Sequence, residues 1–273
     1  MTRTRVGDLE LFWDETGQGD PVLLLADLGG DHRAWDLVRA DLARHHRLIL
    51  LDNRDAGASD PAPGPYGIAE LAADALGVMD HLGIERFHVA GASMGAAIAQ
   101  QLALQAPARV ASLVLLAAWA RTDPFLRAVL SSWRVAVARM APEEFSAEVL
   151  PWMVTHRFVQ EPPSGSLARE AARRARGACR SVESFQRQVD ACLAHDVLPF
   201  LPMLRTPTLV LVGEDDILTS PRYARTLAAA LARSEVMIVP ASGHACLLET
   251  PDAVSERLLR FWTRHLLQTA VAA

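Results

Sequence analysis

The chain has 273 residues, 51% of them hydrophobic, which is enough to bury the core of one α/β domain with room for an inserted segment. Its formal net charge of -5 and isoelectric point near 6.0 argue against nucleic acid and anionic membranes as partners. Its 27 lysine-or-arginine positions are all arginine, which excludes enzymes that need a Schiff-base lysine, a pyridoxal-phosphate lysine or a phosphate-loop lysine.

The three cysteines are too few and too scattered for a disulfide framework or a zinc site. They are Cys179, Cys192 and Cys246. A secretory signal has an apolar segment after its basic residues, and no such segment follows the N-terminal arginines of this chain. The longest apolar stretch, 110–120, is too short to span a bilayer. These features predict a cytoplasmic protein in a reducing compartment, without a metal site or a membrane-spanning segment.

Strand and helix patterns alternate through the first part of the chain. Residues 9–16, 21–25 and 47–52 predict strands, and the last two are continuous apolar runs of the kind found in strands buried on both faces. Residues 31–45 and 68–82 have the apolar spacing of helices, and Gly83 can end the second of them. This alternation predicts a parallel sheet covered by helices.

Residues 86–99 predict a strand that breaks at glycine, presents one serine and restarts as a helix. Gly91 and Gly95 flank Ser93, and a side chain at either glycine would clash where a strand turns sharply into a helix. A Gly-x-Ser-x-Gly sequence also occurs by chance, but here an apolar run precedes it and an alanine-rich helical pattern, 94–105, follows it. We interpret Ser93 as a nucleophile that the turn lifts clear of the sheet.

The alternation of strand and helix stops after a further predicted strand at 111–116. Residues 121–204 contain helical patterns broken by prolines and no convincing strand, so we interpret them as an inserted helical cap. Strands at 208–213 and 235–239 and helices at 221–233 and from 251 then resume the pattern. The predicted division is a core of residues 1–120 and 205–273 and a cap of residues 121–204.

A nucleophilic serine needs a base to remove its proton, and the base needs an acid that fixes its tautomer. Of the nine histidines only His244 combines a glycine-flanked loop with the end of a predicted strand, so we expect it to be the base. The strand before it ends in an acidic turn, 214–216, for which simple exposure to solvent is the alternative explanation. From this turn we choose Asp216 as the acid.

The serine turn, acidic turn and histidine loop occur in the order known for the α/β-hydrolase fold, and the chain resembles that superfamily over essentially its whole length. The resemblance implies an α/β-hydrolase fold with a mostly parallel eight-stranded sheet, helices on both faces and a helical cap inserted after the sixth strand. By the family pattern, the backbone N–H groups of Leu28 and Met94 form the oxyanion hole. The implied chemistry needs no metal or cofactor.

Shorter segments resemble particular branches of this superfamily. Residues 63–66 and 82–86 are similar to 3-oxoadipate enol-lactonases and their esterase relatives. Residues 52–59 and 66–74 are similar to aclacinomycin methylesterases, which hydrolyse a methyl ester on a polyketide. Both resemblances imply hydrolysis of a carboxylic ester or a lactone.

The loop after strand 21–25 departs from the superfamily pattern. Many members have His-Gly where this chain has Ala26 and Asp27. A carboxylate beside the Leu28 amide would oppose a developing oxyanion unless it points away or is neutralised. We expect Asp27 to face the pocket and contribute to substrate choice, and the alternative is a bystander that faces solvent.

Cap residues are further candidates for substrate binding. Trp133 and Trp152 either pack inside the cap or line the pocket, since a cap over a catalytic serine usually lends apolar residues to it. The arginines of the cap either clamp a substrate carboxylate or form a solvated helix face. These are Arg169, Arg173, Arg174, Arg176 and Arg180.

We therefore expect a serine hydrolase, monomeric or homodimeric, that cleaves a small-molecule carboxylic ester or lactone through an acyl-enzyme on Ser93. His244 would act as general base and acid, and Asp216 would orient it. A cofactor-free haloperoxidase or perhydrolase with the same triad is an alternative. A non-catalytic ligand receptor on the same fold is another, in which Asp27 has weakened the oxyanion hole.

Overall fold

The computed structural model describes residues 2–162, 165, 179 and 181–267. Within this part the strands are β1 (Thr2–Val6), β2 (Leu9–Thr16), β3 (Pro21–Leu25), β4 (Arg47–Leu51), β5 (Phe87–Ala92), β6 (Val110–Leu116), β7 (Thr208–Gly213) and β8 (Ser234–Val239). They form one eight-stranded sheet in the order β1-β2-β4-β3-β5-β6-β7-β8.

The sheet is parallel except at one edge, where β2 runs antiparallel to both β1 and β4. The inner strands are continuous apolar runs because helices cover both of their faces, and every residue of β6 and of β7 is buried. The fold expected from the resemblance, a mostly parallel eight-stranded sheet in an α/β-hydrolase fold, is confirmed.

Strand β1 was not predicted from the sequence. It alternates threonine and arginine before Val6, and only Thr4 is buried in it. A short polar strand at the edge of a sheet lacks the apolar pattern by which strands are recognised in a sequence. Strand β1 is held by its hydrogen bonds to β2 and not by burial of its side chains.

The helices are α1 (Asp36–Ala43), α2 (Ile68–His81), α3 (Met94–Gln105), α4 (Pro124–Ala136), α5 (Pro142–Met153), α6 (His156–Gln160), α7 (Val182–Ala194), α8 (Pro221–Ala230), α9 (Cys246–Glu249) and α10 (Pro251–Thr263). Successive residues of β3 point to opposite faces of the sheet. Leu23 belongs to the core that α2 and α3 complete, and Leu24 belongs to the core that α1 and α10 complete. No helix in the described ranges is both long and apolar enough to cross a membrane.

Helices α4 to α7 lie between β6 and β7, in the segment predicted as a cap. Helix α7 is fixed to the core loop after β4 by an ion pair between Arg187 and the buried carboxylate of Asp55, with Nη2–Oδ1 and Nε–Oδ2 distances of 2.5 and 2.8 Å. Ser184 on the same helix donates a further hydrogen bond to Asp55. Helix α7 is therefore held against the loop that follows β4, at the edge of the sheet where the parallel strands end.

Candidate active site

Ser93 lies in the turn between β5 and α3, in a backbone conformation that side chains rarely adopt, with φ 51° and ψ −114°. A Cβ at Gly91 would lie 2.1 Å from the Gly95 carbonyl oxygen, and a Cβ at Gly95 would lie 2.2 Å from the Leu25 carbonyl oxygen. Only glycine fits at both positions. This is the steric reason for the two glycines that the sequence pattern indicated, and it places Ser93 at the carboxyl edge of the sheet.

The acidic turn and the histidine loop meet at the end of β7. A Cβ at Gly213 would lie 2.2 Å from the carbonyl oxygens of Ser242 and Gly243, so the histidine loop passes directly over this strand end. The Asp215 N–H donates a hydrogen bond of 2.9 Å to Ser242 O. This close approach brings Asp216 and His244, which are 28 positions apart, into contact.

The cap also holds the histidine loop. The Ala245 N–H donates to the Met153 carbonyl oxygen at the end of α5, at 2.7 Å. The Glu249 carboxylate accepts from the Gly243 N–H at 2.7 Å and from the Thr155 hydroxyl at 2.7 Å. The backbone before His244 is therefore tied through the Glu249 carboxylate to Thr155, and the backbone after His244 is tied directly to Met153 at the end of α5.

The structure brings Ser93, His244 and Asp216 together in one chain of hydrogen-bond distances. The Ser93 Oγ lies 2.9 Å from His244 Nε2, and His244 Nδ1 lies 2.9 Å from Asp216 Oδ2. All three side chains are buried, with His244 at 5% and Asp216 at 2% exposure. A serine, an imidazole and a carboxylate in this order have the geometry needed to move a proton off the serine.

Asp216 is ionised at neutral pH although it is buried. Burial raises the pKa of this carboxyl, but the electrostatic interaction with His244 and the hydrogen bonds from His244 and Thr219 outweigh burial and hold the pKa below its ordinary value. Its Oδ1 accepts backbone hydrogen bonds from Leu218 and Thr219 at 2.9 and 2.8 Å. The carboxylate can therefore stabilise a positive charge on His244.

Thr219 belongs to this site and was missed by the sequence analysis. Its hydroxyl oxygen lies 2.9 Å from Asp216 Oδ2, 2.9 Å from the Ala117 carbonyl oxygen and 3.0 Å from His244 Nδ1. The available signal was the Asp-x-x-Thr spacing, because an aspartate often accepts from the backbone two and three residues later. The Thr219 hydroxyl therefore fixes the position of the Asp216 carboxylate relative to Nδ1 of the His244 imidazole.

The two amides assigned to the oxyanion hole lie at adjoining loops. Leu28 follows β3, and Met94 follows Ser93 as the first residue of α3. Neither N–H donates a hydrogen bond to any residue within the described ranges. Both are therefore available to an oxygen placed beside Ser93.

A cavity of about 410 Å³ opens onto Ser93 and His244 between the core and the cap. Its walls are mainly apolar and come from α4, α5 and α7 as well as from the loop after β3. The lining residues include Leu126, Leu130, Phe145, Val149, Phe185 and Cys192. A volume of this size accepts a small organic molecule.

The structure places two of the three candidate substrate-binding residues at the cavity and the third away from it. Asp27 and Trp133 line the cavity. Trp152 is not among the described residues that line it: its ring packs against Phe125, with 6.2 Å between ring centroids. Helix α5 turns Val149 and Met153 towards the cavity, and Trp152, one residue before Met153, is rotated away by about 100°.

The candidate arginine clamp, Arg169, Arg173, Arg174, Arg176 and Arg180, lies outside the described residues. Within the described ranges, no group of three or more histidine, cysteine, aspartate or glutamate side chains is arranged to hold a metal ion.

Comparison with known proteins agrees with the architecture. A family model described as "alpha/beta hydrolase fold" matches residues 20–156, and one described as "TAP-like protein" matches residues 183–268. The solved enol-lactonase from Burkholderia xenovorans LB400 superposes with a TM-score of 0.86 at 26% identity, covering 96% of this chain and 100% of that chain.

Two curated relatives are similar over nearly the whole chain. "Putative carbamate hydrolase RutD" of Azorhizobium caulinodans is 32% identical over 255 residues, which are 93% of this chain and 96% of the relative. "Putative non-heme bromoperoxidase BpoC" of Mycobacterium tuberculosis is 31% identical over 260 residues, 93% of this chain and 98% of the relative. Together with the sheet and the matched family model, these similarities establish that the chain belongs to the α/β-hydrolase fold family and is a hydrolase of that family.

Proposed function

We propose that this protein hydrolyses a carboxylic ester or a lactone through an acyl-enzyme on Ser93. The observation that carries the proposal is the chain of hydrogen-bond distances from Ser93 through His244 to Asp216, which opens onto a mainly apolar cavity. The similarity to a solved enol-lactonase supports the same reaction class.

In the first half of the reaction, His244 Nε2 takes the proton of Ser93 as the serine oxygen attacks the scissile carbonyl carbon. The negative charge that forms on the carbonyl oxygen is bound by the N–H groups of Leu28 and Met94. Asp216 holds the Nδ1 proton of His244 and stabilises the imidazolium. The tetrahedral species then collapses, the bond to the leaving oxygen breaks, and His244 returns its proton to that oxygen.

In the second half, a water molecule gives a proton to His244 Nε2 and attacks the acyl carbon. The bond from that carbon to Ser93 Oγ breaks, and the serine takes its proton back from His244. The products are a carboxylic acid and an alcohol, or one hydroxy acid when the substrate is a lactone.

Two relatives suggest alternative outcomes at the same site. The BpoC relative is named as a bromoperoxidase, and a peroxide molecule that replaced water in the second half would give a peracid. The RutD relative is named as a carbamate hydrolase, and a carbamate carbonyl could be attacked in the same way. A receptor without catalysis is the third alternative, and it would not turn over any of these compounds.

The proposal is tested by assaying the purified protein with short and long acyl esters, methyl esters, small lactones and a simple carbamate, beside peroxide-dependent bromination. We expect ester or lactone hydrolysis that Ser93→Ala abolishes without changing the circular dichroism spectrum, because this change removes only a hydroxyl. Turnover that persists in Ser93→Ala would refute the role of Ser93. Peroxide-dependent bromination without hydrolysis would favour the haloperoxidase alternative.

A further inference from the structure

Asp27 lies beside the nucleophile at the edge of the sheet. In the parallel pair of β3 and β5, Leu25 is level with Gly91. Asp27 comes two residues after Leu25 and Ser93 two residues after Gly91, so both lie just past the carboxyl ends of neighbouring strands. Asp27 lines the catalytic cavity and directly precedes Leu28, which we assign to the oxyanion hole.

The Asp27 carboxylate occupies space that Gly30 leaves open and has no partner within the described residues. A Cβ at Gly30 would lie 2.1 Å from Asp27 Oδ1, so the glycine leaves the space that this carboxylate occupies. Within the described residues, the carboxylate accepts no hydrogen bond and forms no ion pair. Among the described residues that line the cavity, Asp27 is the sole carboxylate and no arginine occurs.

The carboxylate does not hold the loop together. The turn is closed by the Gly30 N–H, which donates to the Asp27 carbonyl oxygen at 2.9 Å. The Gly29 N–H donates to the Gln188 side chain of α7 at 3.0 Å. Because backbone groups and Gln188 fix this loop, neutralising Asp27 should leave its fold unchanged.

A negative charge at this position opposes the oxyanion that forms when Ser93 attacks a neutral ester. A substrate with a positive charge near the scissile carbonyl would pair with Asp27 and cancel this repulsion. Resting on the proposed function, we infer that Asp27 binds a protonated amine of the substrate, so that the preferred substrates are esters or lactones with an amino group within a few bonds of the scissile carbonyl.

The test uses three methyl esters that differ in one terminal group. Methyl 3-aminopropanoate carries an ammonium group, methyl butanoate a methyl group and monomethyl succinate a carboxylate at the same position. Release of methanol gives kcat/KM for the wild type and for Asp27→Asn, which keeps the shape and removes the charge. Asp8→Asn, an exposed aspartate in the turn between β1 and β2, makes the same chemical change far from the cavity and serves as the control.

We expect the wild type to prefer the ammonium ester to methyl butanoate by tenfold or more, since opposite charges about 5 Å apart inside a protein supply at least that discrimination. Asp27→Asn should lower kcat/KM for the ammonium ester about tenfold and raise it for methyl butanoate. The succinate ester should be the poorest wild-type substrate, and Asp8→Asn should behave as wild type.

Different failures of this test have different meanings. If the wild type hydrolyses all three esters and Asp27→Asn leaves their ratios unchanged, the inference about Asp27 is wrong and the proposed function stands. If Asp27→Asn raises all three rates equally, the charge acts on the oxyanion and not on the substrate, which also overturns the inference. If Ser93→Ala retains the hydrolysis of these esters, the proposed function itself fails.

Discussion

The acidic turn at 214–216 contains three carboxylates with very different surroundings. Glu214 and Asp215 are exposed, whereas Asp216 is buried, accepts two backbone hydrogen bonds and contacts His244. Asp216→Asn should therefore slow turnover by about 10⁴-fold, the scale found when a triad aspartate is neutralised, and Asp215→Asn should have little effect. Steady-state kcat values of the two variants check this prediction, and the opposite ranking would identify Asp215 as the functional acid.

The Thr219 hydroxyl positions the Asp216 carboxylate and the His244 imidazole. Thr219→Val keeps the shape but removes the hydroxyl that lies within 3.0 Å of Asp216 and His244, and we expect kcat to fall about tenfold with KM unchanged. Thr219→Ser retains the hydroxyl and should recover most of this loss. If the serine variant is as slow as the valine variant, the methyl group matters and the role of Thr219 is packing alone.

At the residue scale, the sequence identifies those candidate site residues whose neighbours in the chain form a recognisable pattern. Ser93 is marked by its flanking glycines, and His244 by a glycine-flanked loop after a strand. Thr219 carries no comparable signal, because its contacts depend on how two loops meet at Gly213. The sequence left Trp152 open between the two positions, because the apolar residues of α5 do not reveal which of them face the cavity and which face Phe125.

At the scale of elements, the ion pair of Asp55 and Arg187 fixes cap helix α7 to the core. Removing one partner of a buried pair leaves an uncompensated charge, so Arg187→Leu should lower the free energy of unfolding by about 3 kcal/mol. Arg134→Leu is the matched control on α4, because its pair with Asp190 is about half exposed and should contribute about 1 kcal/mol or less. Urea denaturation measures both values. Equal losses would mean that the pair does not hold the cap more strongly than a surface pair does.

Elements with long apolar patterns were predicted well. The buried strands β3, β4, β6 and β7 were found at nearly their predicted positions, because helices on both faces require continuous apolar sequence. Element ends were less accurate: the helix predicted at 31–45 begins as a 3₁₀ turn, His32–Trp35, and becomes α-helical at Asp36. Ends depend on capping contacts such as that of Asp31 with the Arg33 N–H, which periodicity does not report.

At the scale of the whole molecule, buried histidines should make the fold sensitive to acid. Burial lowers the pKa of His88 and of His195 from 6.5 to about 4 in each case. The unfolded chain binds a proton at each of these residues below pH 6.5, and the folded chain does not until about pH 4. Stability is therefore full above the unfolded pKa and is lost as the pH falls from 6.5 towards 4, by about 1.4 kcal/mol per pH unit for each histidine.

This contribution can be isolated at His195, whose ring packs edge-on against Trp119. His195→Phe retains an aromatic ring and removes the titrating group. Urea denaturation at pH 7.5, 6.0 and 5.0 should show a slope of unfolding free energy against pH that is smaller than wild type by about 1 kcal/mol per unit. A slope equal to that of the wild type would mean that His195 is not held neutral in the folded protein.

In the proposed mechanism, Ser93 is a nucleophile that His244 activates. A fluorophosphonate probe forms a covalent bond only with an activated serine, and mass spectrometry of the intact and digested protein identifies the labelled residue. We expect one label per chain, located at Ser93, absent in Ser93→Ala and slowed at least 10²-fold in His244→Ala. A folded wild-type protein that does not label, or that labels at a different residue, would contradict the account.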